Sequence, residues 1–177
     1  IILMVSFPTA MAKWVAPFTS GWAADAVTSA TPMASLAAAK GGDLSLAKEL
    51  PSLTQMLIGN HGGSMGEVCS LALLAGALYL LLRRVISPAI PFSFIGTVAV
   101  CMLIAGKGNL QFLAYEILGG GLLLGAFFMA TDYATSPINL KGRIIFGIGC
   151  GLITSVIRIF GSLPEGVSFS IILMNIL

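Results

Sequence analysis

The run Asp25-Ala26-Val27-Thr28-Ser29-Ala30-Thr31-Pro32 sets three hydroxyls close together, the last directly before a proline and an alanine-rich stretch. Thr31 reads as a helix N-cap. Pro32 suits the first helical position, the alanines propagate the turn, Lys40 stands near the negative end and Gly41 stops it. Such a run serves either as a plain structural cap or as a hydroxyl offered for modification. A second grouping, Gly59-Asn60-His61-Gly62-Gly63-Ser64-Met65-Gly66-Glu67, reads either as a flexible turn or as backbone that a flat cofactor can approach closely. Glu67 is placed to cap the helix that follows it, at its positive end.

Ionisable residues inside apolar stretches form a third grouping: Glu116, Asp132 and Arg158. Charge at membrane depth points to function by default. Glu116 is the deepest carboxyl and the first candidate for an ion or electron-coupled pathway, with Asp132 as a second. Asp132 and Arg158 stand near helix ends, from which their side chains can reach the interface. No metal site from protein ligands is expected. Cys69, Cys101 and Cys150 lie far apart in apolar runs, and His61, the only histidine, has no Cys or acidic partner at ligand spacing.

The elements that must position these groups belong to lipid. Apolar residues make up 57% of the chain, charged residues 9%, and mean hydropathy is +1.00. So few charges cannot clothe a water-exposed surface over this length, whereas a hydrocarbon-facing surface needs none. No basic run is interleaved with aromatics, so a nucleic-acid partner is not expected. Apolar segments fall at Val68–Leu82, Ile90–Ala105, Leu110–Ala130, Ile144–Phe160 and Val167–Leu177, after a stub at Ile1–Phe7. The fold class expected is all-α, a polytopic transmembrane helical bundle. Residues 1–8 read as the end of a transmembrane helix, 9–67 as an extracytoplasmic loop, and 68–177 as a bundle of about five segments. The chain opens at Ile1 without a methionine and stops within the last apolar run, so it reads as part of a longer fold.

Arg83–Arg84 and Lys141–Arg143 flank alternate segments, which predicts that both loops face the cytoplasm and that the long polar stretch faces outward. Glycines at 119–121, 147, 149 and 151 read ordinarily as close helix packing. The Gly119–Gly121 run admits a second reading, a break into half-helices of the transporter kind.

The Asp-x-x-Thr-Ser-Ala-Thr run resembles the flavinylation motif of the family comprising RnfD, the D subunit of the Rnf complex, and NqrB, the B subunit of sodium-pumping NADH:quinone reductase. Gly59–Glu67 resembles that family's glycine-serine-glycine-glutamate segment. Gly125-Ala126-Phe127-Phe128-Met129-Ala130-Thr131-Asp132, with Thr135-Ser136-Pro137, Lys141-Gly142-Arg143 and Pro164-Glu165-Gly166-Val167, resembles it again near the C-terminus. The matches run in the family's order over nearly the whole chain, and the Thr-Ser-Pro and Lys-Gly-Arg-Ile-Ile-Phe-Gly stretches look more like the Rnf branch. Position 29 is Ser where many members carry Gly, a small-for-small exchange.

The resemblance implies a membrane subunit of an Rnf-type complex that couples electron flow between reduced ferredoxin and NAD to sodium or proton export. It implies FMN joined to Thr31 by a phosphoester, from FAD, by an extracytoplasmic flavin transferase. A hydroxyl at a helix N-cap suits that bond, because unpaired N–H groups and the positive dipole end favour the phosphate charge. Ser29 and Ala30 leave room for access, Asp25 serves recognition by the transferase or turn capping, and Gly62, Gly63 and Ser64 lie near the cofactor. The family also accommodates a second, noncovalent flavin such as riboflavin, for which the sequence carries no assignable motif. Implied partners are the other subunits of the complex, among them a second flavinylated subunit and iron–sulfur subunits, within the inner (cytoplasmic) membrane. Two other classes compete: a secondary transporter half, and a membrane anchor without cofactor.

Overall fold

The computed structural model describes residues 6–7, 14–15, 28–29, 32–38, 50–64, 66–161 and 166–176. Within them the chain is helical apart from one two-residue antiparallel pairing, β1 (Trp14–Val15) with β2 (Thr28–Ser29), in register Trp14 to Ser29 and Val15 to Thr28. The helices are α1 (Pro32–Ala38), α2 (Leu53–Ile58), α3 (Ser70–Leu82), α4 (Ala89–Ala105), α5 (Leu110–Leu118), α6 (Leu122–Leu124), α7 (Leu140–Phe160) and α8 (Val167–Ile176). A π-helical turn, Gly125–Met129, continues α6.

Local chemistry sets the helix ends. α1 starts at Pro32, as the proline rule anticipates. α2 carries a capping box, in which Ser52 Oγ accepts from the Gln55 N–H and the Ser52 N–H donates to Gln55 Oε1, and it stops at Gly59 in the left-handed region. Asn109 caps α5 by accepting from the N–H groups of Gln111 and Phe112. α7 begins at Leu140, so Lys141, Gly142 and Arg143, expected in a loop, form its first turn.

By length and composition α7 is the one helix among the described residues able to cross a bilayer alone, and the bent pair Leu110–Leu118 with Leu122–Met129 passes the same test jointly. α3, with 13 residues, rises about 20 Å of the ~30 Å core. Its exposed Leu71, Leu74, Leu78 and Leu82 recur every three or four residues, an apolar stripe suited to lipid.

α4 and α7 share the most extensive contact. Gly147 lies against Ser93 and the Ile90 carbonyl, and Gly151 one turn later against Thr97 and the Phe94 carbonyl, so the two helices run parallel. A methyl on Gly151 would sit 2.6 Å from Thr97 Cβ. Gly149 faces Met174 of α8 instead. These glycines therefore do the packing expected of small residues in membranes. One apolar core joins Phe94, Val98 and Met102 of α4 to Phe146 and Cys150 of α7 and Phe112 of α5. Met33, Leu36 and Met56, from the segment ahead of the apolar runs, enter that same core.

Candidate functional site

Gly119–Gly121 takes the second of its two readings. α5 stops at Leu118, Gly120 and Gly121 adopt φ of +63° and +64°, and the chain resumes as α6 bent by 61°. A break in a membrane helix orphans carbonyl groups that lipid cannot satisfy, at several kcal/mol each. Here they find partners. The Gly119 N–H donates to the Tyr115 carbonyl at 2.9 Å, and Ser70 Oγ, from the first turn of α3, donates to the Leu118 carbonyl at 3.1 Å. Arg158 of α7 donates through Nη1 to the Glu116 carbonyl at 2.7 Å and through Nη2 to the Gly120 carbonyl at 3.2 Å.

Arg158 Nη1 also donates to Glu116 Oε2 at 2.9 Å, an ion pair with both residues buried. The expectation that Arg158 reaches the interface is thus corrected. Its guanidinium is spent inside the bundle, on the negative end of α5 and on the Glu116 carboxylate. On the other side of the break, a Cβ on Gly121 would lie 2.9 Å from Glu67 Oε1. The Glu67 carboxylate therefore lies at the positive end of the second half-helix. Each charge sits where the interrupted dipole favours it.

Helix α1 covers this break. A Cβ on Gly119 would stand 3.0 Å from Met33 Sδ and 3.3 Å from Met56 Cε, and one on Gly120 2.8 Å from Arg158 Nη2 and 2.9 Å from Met33 Cγ. Only glycine admits so close an approach with that backbone. Beside it a cleft of about 20 Å³ is bounded by Pro32, Gly62, Gly63, Ser64 and Gly119–Gly120. That is room for about one water-sized group. His61 also lines it, and its Nδ1 is buried with no hydrogen-bond partner among the described residues. Burial pushes the His61 pKa below 6.5. The imidazole is neutral near pH 7, and Nδ1 donates or accepts according to tautomer.

Of the sequence-predicted site residues, Asp25, Ala30 and Thr31 lie outside the described residues, and Ser29 occupies β2. Pro32, which follows Thr31, shares the cleft with Gly62, Gly63 and Ser64, so both groupings of the polar segment meet. Glu116 lies beneath them and, with Arg158, borders a cavity of about 240 Å³ otherwise lined by apolar residues such as Leu36, Met102 and Phe112. Asp132 does not join this site. It is exposed on the turn after Met129, where its carboxylate accepts from the Ala134 N–H and Thr135 Oγ1, bonds that hold its pKa below 3.8.

The Glu116–Arg158 pair escaped the sequence reading, although both residues stand toward the same end of their segments. Met33 gave no signal beyond its place in α1. In the sequence His61 stands only as a metal-ligand candidate without partners, and its Nδ1, unpartnered among the described residues, follows from the packing of the glycine turn.

The family model for NQR2, RnfD and RnfE matches residues 1–177. The D subunit of the Na(+)-translocating ferredoxin:NAD(+) oxidoreductase complex of Acetobacterium woodii is 46% identical over 86% of this chain and 45% of its own length. The D subunit of the proton-translocating ferredoxin:NAD(+) oxidoreductase complex of Clostridium ljungdahlii is 41% identical over 98% of the chain and 53% of its own. The D subunit of the ion-translocating oxidoreductase complex of Stutzerimonas stutzeri is 36% identical over 100% and 57%. The chain spans about half the length of the curated relatives it matches.

Proposed function

The chain belongs to the NQR2, RnfD, RnfE family, and from that premise we propose that it works as the membrane subunit of an ion-translocating ferredoxin:NAD oxidoreductase complex, relaying electrons through FMN esterified to Thr31. The observation that carries this reading is the cleft itself: the helix that starts one residue after Thr31 lies on the glycine turn, beside a buried His61 nitrogen without a partner among the described residues. Pro32, the next residue in sequence after Thr31, lines that cleft. With about 20 Å³ available, the cleft admits a small polar group such as a phosphate oxygen, and the three-ring flavin must lie outside it.

FMN, when bound, supplies one- and two-electron redox chemistry. The protein's contribution is position and electrostatics. Thr31 anchors the phosphoester, His61 offers its free nitrogen to a phosphate oxygen, and Gly62 and Gly63 let backbone approach without side-chain obstruction. α1, which follows Thr31 in sequence, is set against Gly119 and Gly120 of the broken helix through Met33.

Ion coupling is assigned to the break. Glu116 and Arg158 balance each other's charge in a cavity with apolar walls, and the half-helix arrangement is of the kind by which transporters present backbone groups to ions. Relatives named for sodium and for protons resemble this chain to similar degrees, at 46% and 41% identity, so the likeness selects neither ion. The placement of α1 at the end of the bundle opposite Arg83–Arg84 supports an extracytoplasmic attachment site reached by a flavin transferase.

The test is flavin retention after denaturation. The full-length subunit, coexpressed with the transferase, should remain fluorescent under ultraviolet light on a denaturing gel, and Thr31→Ala should abolish that signal while leaving the bundle inserted. A wild-type band without flavin would return the chain to the transporter or anchor class.

A further inference from the structure

A second cavity, of about 310 Å³, lies at the opposite end of the bundle, between the turn that joins α3 to α4 and the loop that leads into α7. Arg84, Ser87, Thr131, Tyr133, Ser136 and Arg143 line it. The turn is held in shape. Arg84 sits at a φ of 53°, a left-handed conformation that costs a non-glycine residue about 1–2 kcal/mol. The Arg84 and Val85 N–H groups donate to the carbonyls of Leu81 and Leu80, and the Tyr133 hydroxyl donates to the Val85 carbonyl from across the cavity. Arg143 is aimed as well, since its Nε donates to the Pro137 carbonyl at 3.0 Å.

Neither arginine has an acidic partner within ion-pair distance among the described residues. Asp132, the nearest acid in sequence, spends its oxygens on Ala134 and Thr135. The helix ends add to the positive field. α4 and α7 run parallel and both begin here, neither with a side-chain cap on its first N–H groups. Arg143 held by its Nε, Arg84 exposed on the pinned turn, the Ser87 and Ser136 hydroxyls and two positive helix ends at one cavity describe an anion site, and the guanidinium fork matches phosphate.

The cavity's rim decides between a soluble anion and an amphiphile. Leu82, Ile138, Leu140, Ile144 and Ile145, each within three residues in sequence of a lining residue, are all exposed. A free phosphate has no use for such a rim, whereas a lipid lays its acyl chains along it. We propose that this cavity binds the phosphate headgroup of an anionic phospholipid, with Arg84 and Arg143 on the phosphate oxygens and the chains against the apolar rim. The site is separate from the cleft beside α1 and does not depend on the flavin reading.

The experiment measures phosphatidylglycerol and cardiolipin retained per subunit after the full-length protein is purified in its complex with mild detergent. The double variant Arg84→Gln/Arg143→Gln should retain about tenfold less anionic lipid than the parent. Arg83→Gln, which removes one positive charge just outside the cavity, should stay within about twofold. The double lysine variant keeps the charge and should recover most of the retention, so a fold that merely failed would be recognised by its loss there too. Re-addition of vesicles should restore binding with phosphatidylglycerol and not with phosphatidylcholine. Unchanged retention in the double glutamine variant, equal loss with Arg83→Gln, or displacement of the lipid by inorganic phosphate alone would overturn the proposal.

Discussion

The two ends of the helical bundle treat charge in opposite ways. At the end carrying α1, Arg158 and Glu116 are buried and Glu67 is half-buried, with Arg158 spent on Glu116 and two carbonyls and Glu67 set against the start of α6, while Lys107 after α4 is exposed. At the other end Arg83, Arg84 and Lys141 are exposed, and Arg143 is only half-buried. The first arrangement repairs a helix that breaks where lipid offers no water. The second leaves positive charge available to whatever lies at the membrane surface. The same residue type therefore carries a structural obligation in one place and a recognition surface in the other, and substitutions should separate the two.

Arg158→Met should have the largest effect. It leaves the Glu116 carboxylate buried and unpaired and frees the Glu116 and Gly120 carbonyls, at a cost of about 3–5 kcal/mol, read as loss of the folded fraction in a denaturant titration. Glu116→Gln keeps an acceptor for Arg158 and removes only the charge, so about 2–3 kcal/mol is expected. Ion transport in reconstituted vesicles should fall further than flavin loading, and undiminished transport would make Glu116 purely structural. Gly121→Ala introduces a side chain at a φ of +64° and against the Glu67 carboxylate, and should cost about 1–3 kcal/mol by the same titration.

Substitutions at the other end should be mild. Tyr133→Phe gives up one exposed hydrogen bond to the Val85 carbonyl and should cost less than about 1 kcal/mol. Asp132→Asn, which keeps one acceptor oxygen, should lower the melting temperature only slightly at neutral pH, and the difference from the parent should vanish as the pH falls through the depressed carboxyl value. Its carboxylate is held below 3.8 by the Ala134 and Thr135 bonds, so its contribution is present above that pH and is lost as the pH falls through the depressed value. A large loss at neutral pH from either change would erase the contrast between the two ends.

Much of this was legible in residue types. The apolar runs, the start of α1 at Pro32 and the role of Gly147 and Gly151 follow from rules that act within one helix turn or one helix face. α2 was missed although Ser52, Gln55 and Gly59 spell its cap and stop, because six residues make no apolar period to draw attention to them. The break at Gly119–Gly121 was readable in two ways, since glycine serves both close packing and positive φ. What settles it is tertiary: Arg158 and Ser70 arrive from elements 38 and 48 residues distant to take the freed carbonyls. Glu67 followed the same pattern. Its place before α3 suggested a cap for that helix, whereas the fold sets its carboxylate against Gly121. Pairings of that range depend on how the segments stack, which periodicity does not encode.

The central claim is that Thr31, and neither Thr28 nor Ser29, carries the flavin. Tandem mass spectrometry of the peptide spanning these residues, from full-length subunit coexpressed with its transferase, tests it most directly. The expected spectrum shows an added mass of FMN less one water, with fragment ions that assign it to Thr31 and an unmodified peptide in Thr31→Ala. Flavin on Thr28 or Ser29, or an unmodified wild-type peptide, would contradict it.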